Sequence, residues 1–181
     1  MTSNLPIKYV MVIVPNEPVL GHLLKSKKDI EKYLDKSMDL MPHIKLFPTF
    51  TWEGTEEYLL IHSIKNLIPA IHSFEVNLLQ LEKSKLEGDL YLKTQTRPEI
   101  ENFLSVIQLH FQKTSNEQSL SIDTIDGRLT LVDKECIGEN YSKIAPRLGK
   151  KIFSGVFIAD KLSLFKNEGN GWQLNAEFHL D

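Results

Sequence analysis

The segment from Trp172 to Leu180 alternates strictly between apolar and polar side chains, and this pattern constrains the fold more than any other feature of the sequence. Period-two alternation is typical of a strand that buries one face and exposes the other, as in antiparallel sheets. The Asn170-Gly171 dipeptide just before it predicts a hairpin turn to a partner strand over 156–165. We expect five apolar side chains of the final strand to lie in the core, namely Trp172, Leu174, Ala176, Phe178 and Leu180.

Hairpins and single helices are predicted along the rest of the sequence. Strands are predicted over 7–14, 41–50, 74–82, 89–94 and 128–132, and helices over 21–36, from Thr55, over 98–111 and over 141–148. In the first helix, Leu23 and Ile30 are predicted to point toward the core, and the lysines, including the cluster over 25–28, toward solvent. Antiparallel hairpins mixed with outer helices predict an α+β fold and argue against a Rossmann fold.

Length and composition are those of one domain, which we expect to span 1–181. With 181 residues and 41% hydrophobic side chains, the chain can bury a core without disulfides. The formal net charge of −3 provides no global basic field, so contact with nucleic acid would need a local patch.

The single cysteine, Cys136, fits a reducing compartment. The polar first residues and the short apolar runs indicate neither a signal peptide nor a membrane span, so we expect a soluble, cytoplasmic protein.

The sequence lacks the motifs of the commonest enzyme classes: a glycine-rich phosphate loop, Gly-x-Gly-x-x-Gly, Cys-x-x-Cys and Gly-x-Ser-x-Gly. Two short strand segments carry the candidate chemistry instead, His43–Leu46 and Arg128–Leu131. Residues two apart in a strand share a face, so His43 lies beside Lys45, and Arg128 beside Thr130. Each also has an ordinary explanation: a histidine satisfied by backbone, two solvated cations, and a threonine favoured in strands. Together, however, the four groups make a set that suits an anion.

The two segments resemble the paired His-x-Thr/Ser-x motifs of the 2H phosphoesterases, the superfamily of cyclic phosphodiesterases and 2′-5′ RNA ligases. Pro-His-Ile-Lys-Leu at 42–46 resembles the first copy and Gly-Arg-Leu-Thr-Leu at 127–131 the second, with His43 and Arg128 85 residues apart. The opening strand and the closing hairpin are similar as well, so the resemblance covers nearly the whole chain. It implies two pseudo-symmetric lobes of antiparallel β-sheet with outer helices around a central cleft.

The resemblance also implies roles for the motif residues. In that family, one histidine takes a proton from water, the other protonates the leaving oxygen of a 2′,3′-cyclic phosphate, and the hydroxyls hold the phosphate. Here Lys45 replaces the first hydroxyl and Arg128 replaces the second histidine. Arginine stays protonated and cannot act as a general base. The resemblance thus implies His43 as catalytic residue, Lys45, Arg128 and Thr130 as phosphate-binding residues, and no metal or organic cofactor.

We therefore expect a cleft that binds a phosphate-bearing nucleotide or RNA end, with weak or lost cyclic phosphodiesterase activity. If the protein is an enzyme, it is expected to be a hydrolase of cyclic phosphates. The alternative is a non-catalytic interaction or regulatory module on the same fold. Phe50 and Trp52 follow the first motif and are candidates for base stacking, with packing at the core or rim as the alternative.

Overall fold

The apolar runs of the chain form strands of one antiparallel sheet. The computed structural model describes residues 7–37, 40–46, 49–83, 89–95, 127–133 and 155–181, and positions 102, 105 and 137. The strands are β1 Ile7–Ile13, β2 His43–Lys45, β3 Phe50–Trp52, β4 Phe74–Lys83, β5 Leu90–Thr94, β6 Leu129–Val132, β7 Gly155–Ala159, β8 Lys161–Asn167 and β9 Trp172–His179. The helices are α1 Val19–Leu34 and α2 Glu57–Leu67, the latter between single 3-10 turns at Gly54–Glu56 and Ile68–Ala70. The helices predicted over 98–111 and 141–148 lie outside the described residues, apart from positions 102 and 105.

The strand order is β7-β4-β5-β6-β2-β1-β8-β9, with β3 also paired to β1. Every pairing in it is antiparallel. The order places β2 and β6, which carry the two motifs, side by side in the middle of a curled half-barrel. Only Asp160 separates β7 from β8, so the single strand predicted over 156–165 is two strands. β7 lies at one end of the order, and β8 is next to the last strand at the other end. The predicted α+β fold of antiparallel sheet and outer helices is confirmed.

Strand β1 is buried on both faces and divides the apolar interior in two. Tyr9, Met11 and Ile13 belong to the large core, which also contains apolar side chains of α1 and α2. Val10 and Val12 point to the other face, where they form a smaller cluster with Leu40 and Phe165. This double burial explains why the segment is a continuous apolar run and does not alternate.

One lysine of α1 is buried, which corrects the prediction that the lysines over 25–28 are all solvated. Lys27 is 4% exposed, and its Nζ donates a hydrogen bond to the carbonyl oxygen of Leu40. It lies one turn from Leu23 and one from Ile30, and therefore on the buried face of the helix. Glu31 Oε1 is 4.0 Å from the ammonium nitrogen. Lys27 thus joins α1 to the segment that leads into β2.

The final strand follows the predicted alternation over only part of its length. Phe178 and Leu180 are buried, but Leu174 is 51% exposed, so its predicted core position is wrong. The pairing of β8 with β9 shifts register between Leu164 and Phe165. Such an irregularity changes which face the following side chains occupy. Leu164 pairs with Ala176 and Phe165 pairs with Leu174, so the extra residue is Asn175 of β9 itself. The strict alternation of the sequence gives no sign of this irregularity.

Candidate functional site

The two motif strands are neighbours, and their register brings the motifs together. His43 on β2 lies directly opposite Thr130 on β6, and Ile44 lies opposite Leu129. Directly paired residues of antiparallel strands share a face, with Cβ atoms about 4.5–5.5 Å apart. The same register continued by one residue places Lys45 opposite Arg128. The four residues predicted from the motifs therefore share one face of the sheet.

A row of polar side chains extends from this pair across two more strands. Tyr91 on β5 lies opposite Thr130, and Glu82 on β4 lies opposite Tyr91. The Tyr91 hydroxyl donates to Glu82 Oε2 at 3.0 Å. Neither residue was among the candidates predicted from the motifs. The alternation of Leu90 and Leu92 with Tyr91 was the available signal, since it puts the tyrosine on the face opposite the core.

His43 is deeply buried and hydrogen-bonded through only one of its ring nitrogens. The residue is 2% exposed, and Nδ1 lies 2.8 Å from the carbonyl oxygen of Met41. A carbonyl oxygen can only accept, so Nδ1 carries the hydrogen and Nε2 carries the lone pair. Within the part of the chain that the structure describes, the buried Nε2 has no hydrogen-bond partner.

The surroundings of His43 keep the imidazole neutral. They lower its pKa from 6.5 to about 4, chiefly because burial disfavours the charged form. The hydrogen bond to Met41 acts in the opposite direction, and the positive charges of Lys45 and Lys27 add to the lowering. At neutral pH the ring is therefore a hydrogen-bond acceptor at Nε2 and can take up a proton there.

Arg128 is held between an acid and an aromatic ring. One guanidinium nitrogen is 3.9 Å from Asp89 Oδ2, and the guanidinium carbon is 4.9 Å from the centroid of the Tyr91 ring. Partial burial lowers the pKa of the guanidinium, but arginine remains a cation at physiological pH. This face of the sheet thus has a permanent positive charge that two neighbouring side chains hold in position.

Backbone contacts fix the start of the second motif. Gly127 has a φ of 66°, a conformation that side chains other than glycine rarely adopt. The Thr94 hydroxyl donates to the Gly127 carbonyl oxygen at 2.7 Å.

The residues of the shared face differ in their exposure to solvent. Thr130 is 7% exposed, whereas Lys45 is exposed. The shared face therefore reaches solvent at the Lys45 end.

Phe50 and Trp52 lie on the other face of the sheet. They pair with Tyr9 and Ile7 of β1 and pack against the large core. The Phe50 and Tyr9 rings stack with centroids 5.8 Å apart, and Trp52 Nε1 donates to the Glu56 carbonyl oxygen at 3.1 Å. These positions favour the packing role that the sequence also allowed, and they place both residues on the face opposite His43.

The described residues contain no group of three or more His, Cys, Asp or Glu side chains arranged to hold a metal ion. None of their helices combines the length and apolar character needed to span a membrane.

Comparison with known proteins identifies the fold. No family model matches the sequence, and no curated protein does so either. Among solved structures, TT0787 of Thermus thermophilus matches with a TM-score of 0.70 and 14% identity over 96% of this chain and 97% of that one. LigT of E. coli complexed with 3′-AMP matches with a TM-score of 0.68 and 10% identity over 97% and 99%. A protein described as a phosphoesterase matches with a TM-score of 0.67 and 9% identity over the same shares. The chain therefore shares the fold of these structures over nearly its whole length, and the fold that the resemblance predicted is confirmed.

Proposed function

We propose that this protein binds a phosphate-bearing nucleotide or RNA end on the face that carries His43 and Thr130. One observation carries the proposal: a buried imidazole nitrogen without a partner among the described residues lies on a residue directly opposite a hydroxyl. Leaving a buried polar atom unpaired is unfavourable, so such an atom indicates where a ligand binds. LigT of E. coli, which shares the fold, has been solved with 3′-AMP, with phosphate and with ATP. Those complexes favour a nucleotide ligand.

The cations on this face suit a phosphate group. Arg128 is already oriented by Asp89 and Tyr91, so little conformational entropy is lost when it binds an anion. Lys45 lies on the same face and adds a flexible positive charge at the exposed end. The Thr130 hydroxyl can donate to a phosphate oxygen between them.

The same groups make catalysis slow. His43 can accept a proton from an attacking water at Nε2, but Arg128 does not release its proton to a leaving oxygen. A general acid contributes roughly 10²–10⁴-fold to such a reaction. We infer that hydrolysis of a 2′,3′-cyclic phosphate is weak or lost, while binding is retained.

The alternative function is a non-catalytic interaction module, and one contact favours it. Asp89 lies 3.9 Å from Arg128 and partly neutralises the charge that would attract a phosphate. In that case the polar row would serve structure only. Ligand binding decides between the two functions.

The experiment compares ligand-induced thermal stabilisation and hydrolysis of 2′,3′-cyclic AMP in the wild type and four variants. Phosphate, 3′-AMP or a 3′-phosphorylated RNA should stabilise the wild type, because a ligand that binds only the folded state raises the melting temperature. Thr130→Val and Arg128→Met should reduce that shift, while Lys65→Thr, at an exposed site on α2, should not. The double variant Arg128→His with Lys45→Thr should hydrolyse the cyclic nucleotide faster than the wild type. If none of these compounds stabilises the protein, it is not a phosphate-binding protein.

A further inference from the structure

The exposed side of α1 carries a row of three lysines, Lys25, Lys28 and Lys32. Successive residues of an α-helix are about 100° apart, so these three side chains lie within about 60° of one another around the helix axis. Leu23 and Ile30 are buried in the large core and point to the opposite side of the helix. The row therefore faces solvent and extends for about 10 Å along the axis.

These lysines differ from the ion-paired lysines of the sheet. Three lysines there each have a carboxylate oxygen within 3.5 Å of the ammonium nitrogen, namely Lys93, Lys161 and Lys166. Within the part of the chain that the structure describes, no ion pair involves a lysine of the row. The protein has 24 acidic and 21 basic residues, so a shortage of carboxylates does not explain this difference. The row is a local positive patch on a chain of net negative charge.

The stability of the helix does not explain the row either. Lys25 and Lys28 are three residues apart, and Lys28 and Lys32 are four apart, spacings at which like charges repel and destabilise a helix. Glutamine forms helices about as well as lysine does and would avoid this repulsion. Between Lys25 and Lys32 the one exposed acid is Asp29, which lies to one side of the row. A charged row that the fold does not need indicates contact with a partner of opposite charge.

A nucleic-acid backbone fits the row better than other anions do. Each phosphate that a lysine neutralises releases counterions condensed on the strand, so several lysines in line suit a chain of phosphates. A single phosphate leaves part of the row without a partner. A membrane also presents phosphates, but helices that bind at its surface insert an apolar face. The apolar face of α1 is packed in the core.

We propose that Lys25, Lys28 and Lys32 form a surface that binds the phosphate backbone of a nucleic-acid strand. This inference goes beyond the proposed function, because the surface is on a helix and is separate from the face of His43. With a net charge of −3, the chain needs a local basic patch for such contact, and the row provides one. Phosphate contacts carry no sequence information, so the surface holds a strand without selecting its bases.

The test is the binding of a labelled twelve-nucleotide single-stranded RNA, and of a DNA strand of matching sequence, measured by fluorescence anisotropy. The triple variant Lys25→Gln, Lys28→Gln and Lys32→Gln should bind both strands about 10- to 100-fold more weakly than the wild type at about 0.1 M salt. The slope of log affinity against log salt concentration should become shallower by about 2, because each phosphate contact on a single strand contributes about 0.7. The matched control replaces three other exposed lysines by glutamine, Lys8, Lys65 and Lys83. It removes the same charge and should bind as the wild type does.

Two further measurements separate this surface from the rest of the molecule. Thermal unfolding should give the triple variant a melting temperature equal to or above that of the wild type, because the repulsion along the helix is removed. The single phosphate of 3′-AMP cannot span the row, so 3′-AMP should bind the triple variant and the wild type equally.

Two results overturn the inference and leave the proposed function standing. One is equal affinity of the triple and control variants for the strands. The other is binding of the wild type to vesicles of phosphatidylserine and phosphatidylcholine but to neither strand. If 3′-AMP does not bind the wild type while the triple variant still loses affinity for RNA, the proposed function fails and this inference stands.

Discussion

His43 and Thr130 lie directly opposite each other on the neighbouring strands β2 and β6, and this pairing puts an imidazole and a hydroxyl on one face of the half-barrel. Backbone hydrogen bonds between β2 and β6 fix the pair. Its geometry therefore depends on strand register and not on loop conformation. Substitutions that keep the register should change the chemistry of the site without moving it.

Lowering the pH should destabilise the protein through His43. The unfolded chain takes up a proton near pH 6.5, whereas the folded ring does so only near 4. The contribution of His43 to the free energy of unfolding is thus fully present above about pH 7, falls as the pH is lowered, and is lost below about pH 4. The whole loss amounts to about 3 kcal/mol. Urea unfolding of wild type and His43→Gln from pH 7 to 4 measures it. The variant should show a shallower fall over this range, and parallel curves would contradict the assignment.

Removing the buried ammonium of Lys27 should destabilise the fold and raise the pKa of His43. Lys27→Met leaves the Leu40 carbonyl oxygen without this donor, at a cost of about 1–3 kcal/mol. It also removes a positive charge that disfavours the protonated imidazole. Lys28→Met is the matched control, since Lys28 is its exposed neighbour on the helix. Denaturant unfolding and proton NMR titration of His43 measure the two effects. Equal behaviour of the two variants would show that Lys27 has no special role.

The ring of Tyr91 should matter more for phosphate binding than its hydroxyl does. Tyr91→Leu removes the surface on which Arg128 rests, a contact worth about 0.5–1 kcal/mol, so affinity should fall about two- to fivefold. Tyr91→Phe keeps that surface and loses only the hydrogen bond to Glu82. Calorimetric titration with 3′-AMP compares them. If the phenylalanine variant is the weaker binder, the hydroxyl and not the ring positions the site.

Two leucines of the last hairpin should differ in their effect on stability. Leu162→Ala creates a cavity at a fully buried position and should cost about 2–5 kcal/mol. Leu174→Ala changes a side chain that is half in solvent and should cost less than about 1 kcal/mol. Urea unfolding measures both. A large loss in the Leu174 variant would mean that the register of β8 and β9 is not the one described.

The sequence predicts the strands best where the pattern is local. The run that forms β1 and the turn before β9 depend on neighbouring residues and were predicted correctly. In β4 the apolar residues change phase near Leu79, and the structure has its register shift there, between Leu78 and Leu81. Leu174 was predicted wrongly because its exposure depends on how the partner strand is aligned, which the sequence of β9 does not contain.

The candidate site likewise has features that a local sequence pattern predicts and features that depend on contacts between distant segments. The shared face of His43 and Lys45 follows from strand geometry within one tetrapeptide. That Arg128 is held by Asp89 and Tyr91 depends on the pairing of β5 with β6, and the burial of Lys27 depends on where α1 packs. Contacts between segments distant in sequence cannot be derived from either segment alone.

The single-residue break at Asp160 has a consequence for how the molecule forms. One continuous run of chain provides β7, which pairs with β4, and β8, which pairs with β1. Partners such as Met11 and Leu164 are therefore among the most distant in the sequence, and β1 keeps an open edge until β8 has emerged from the ribosome. Sheets dominated by such contacts fold in about milliseconds to seconds and expose strand edges meanwhile. For this protein, we expect the pairing of β8 with β1 to be the folding step that covers this open edge and so protects the chain from aggregation.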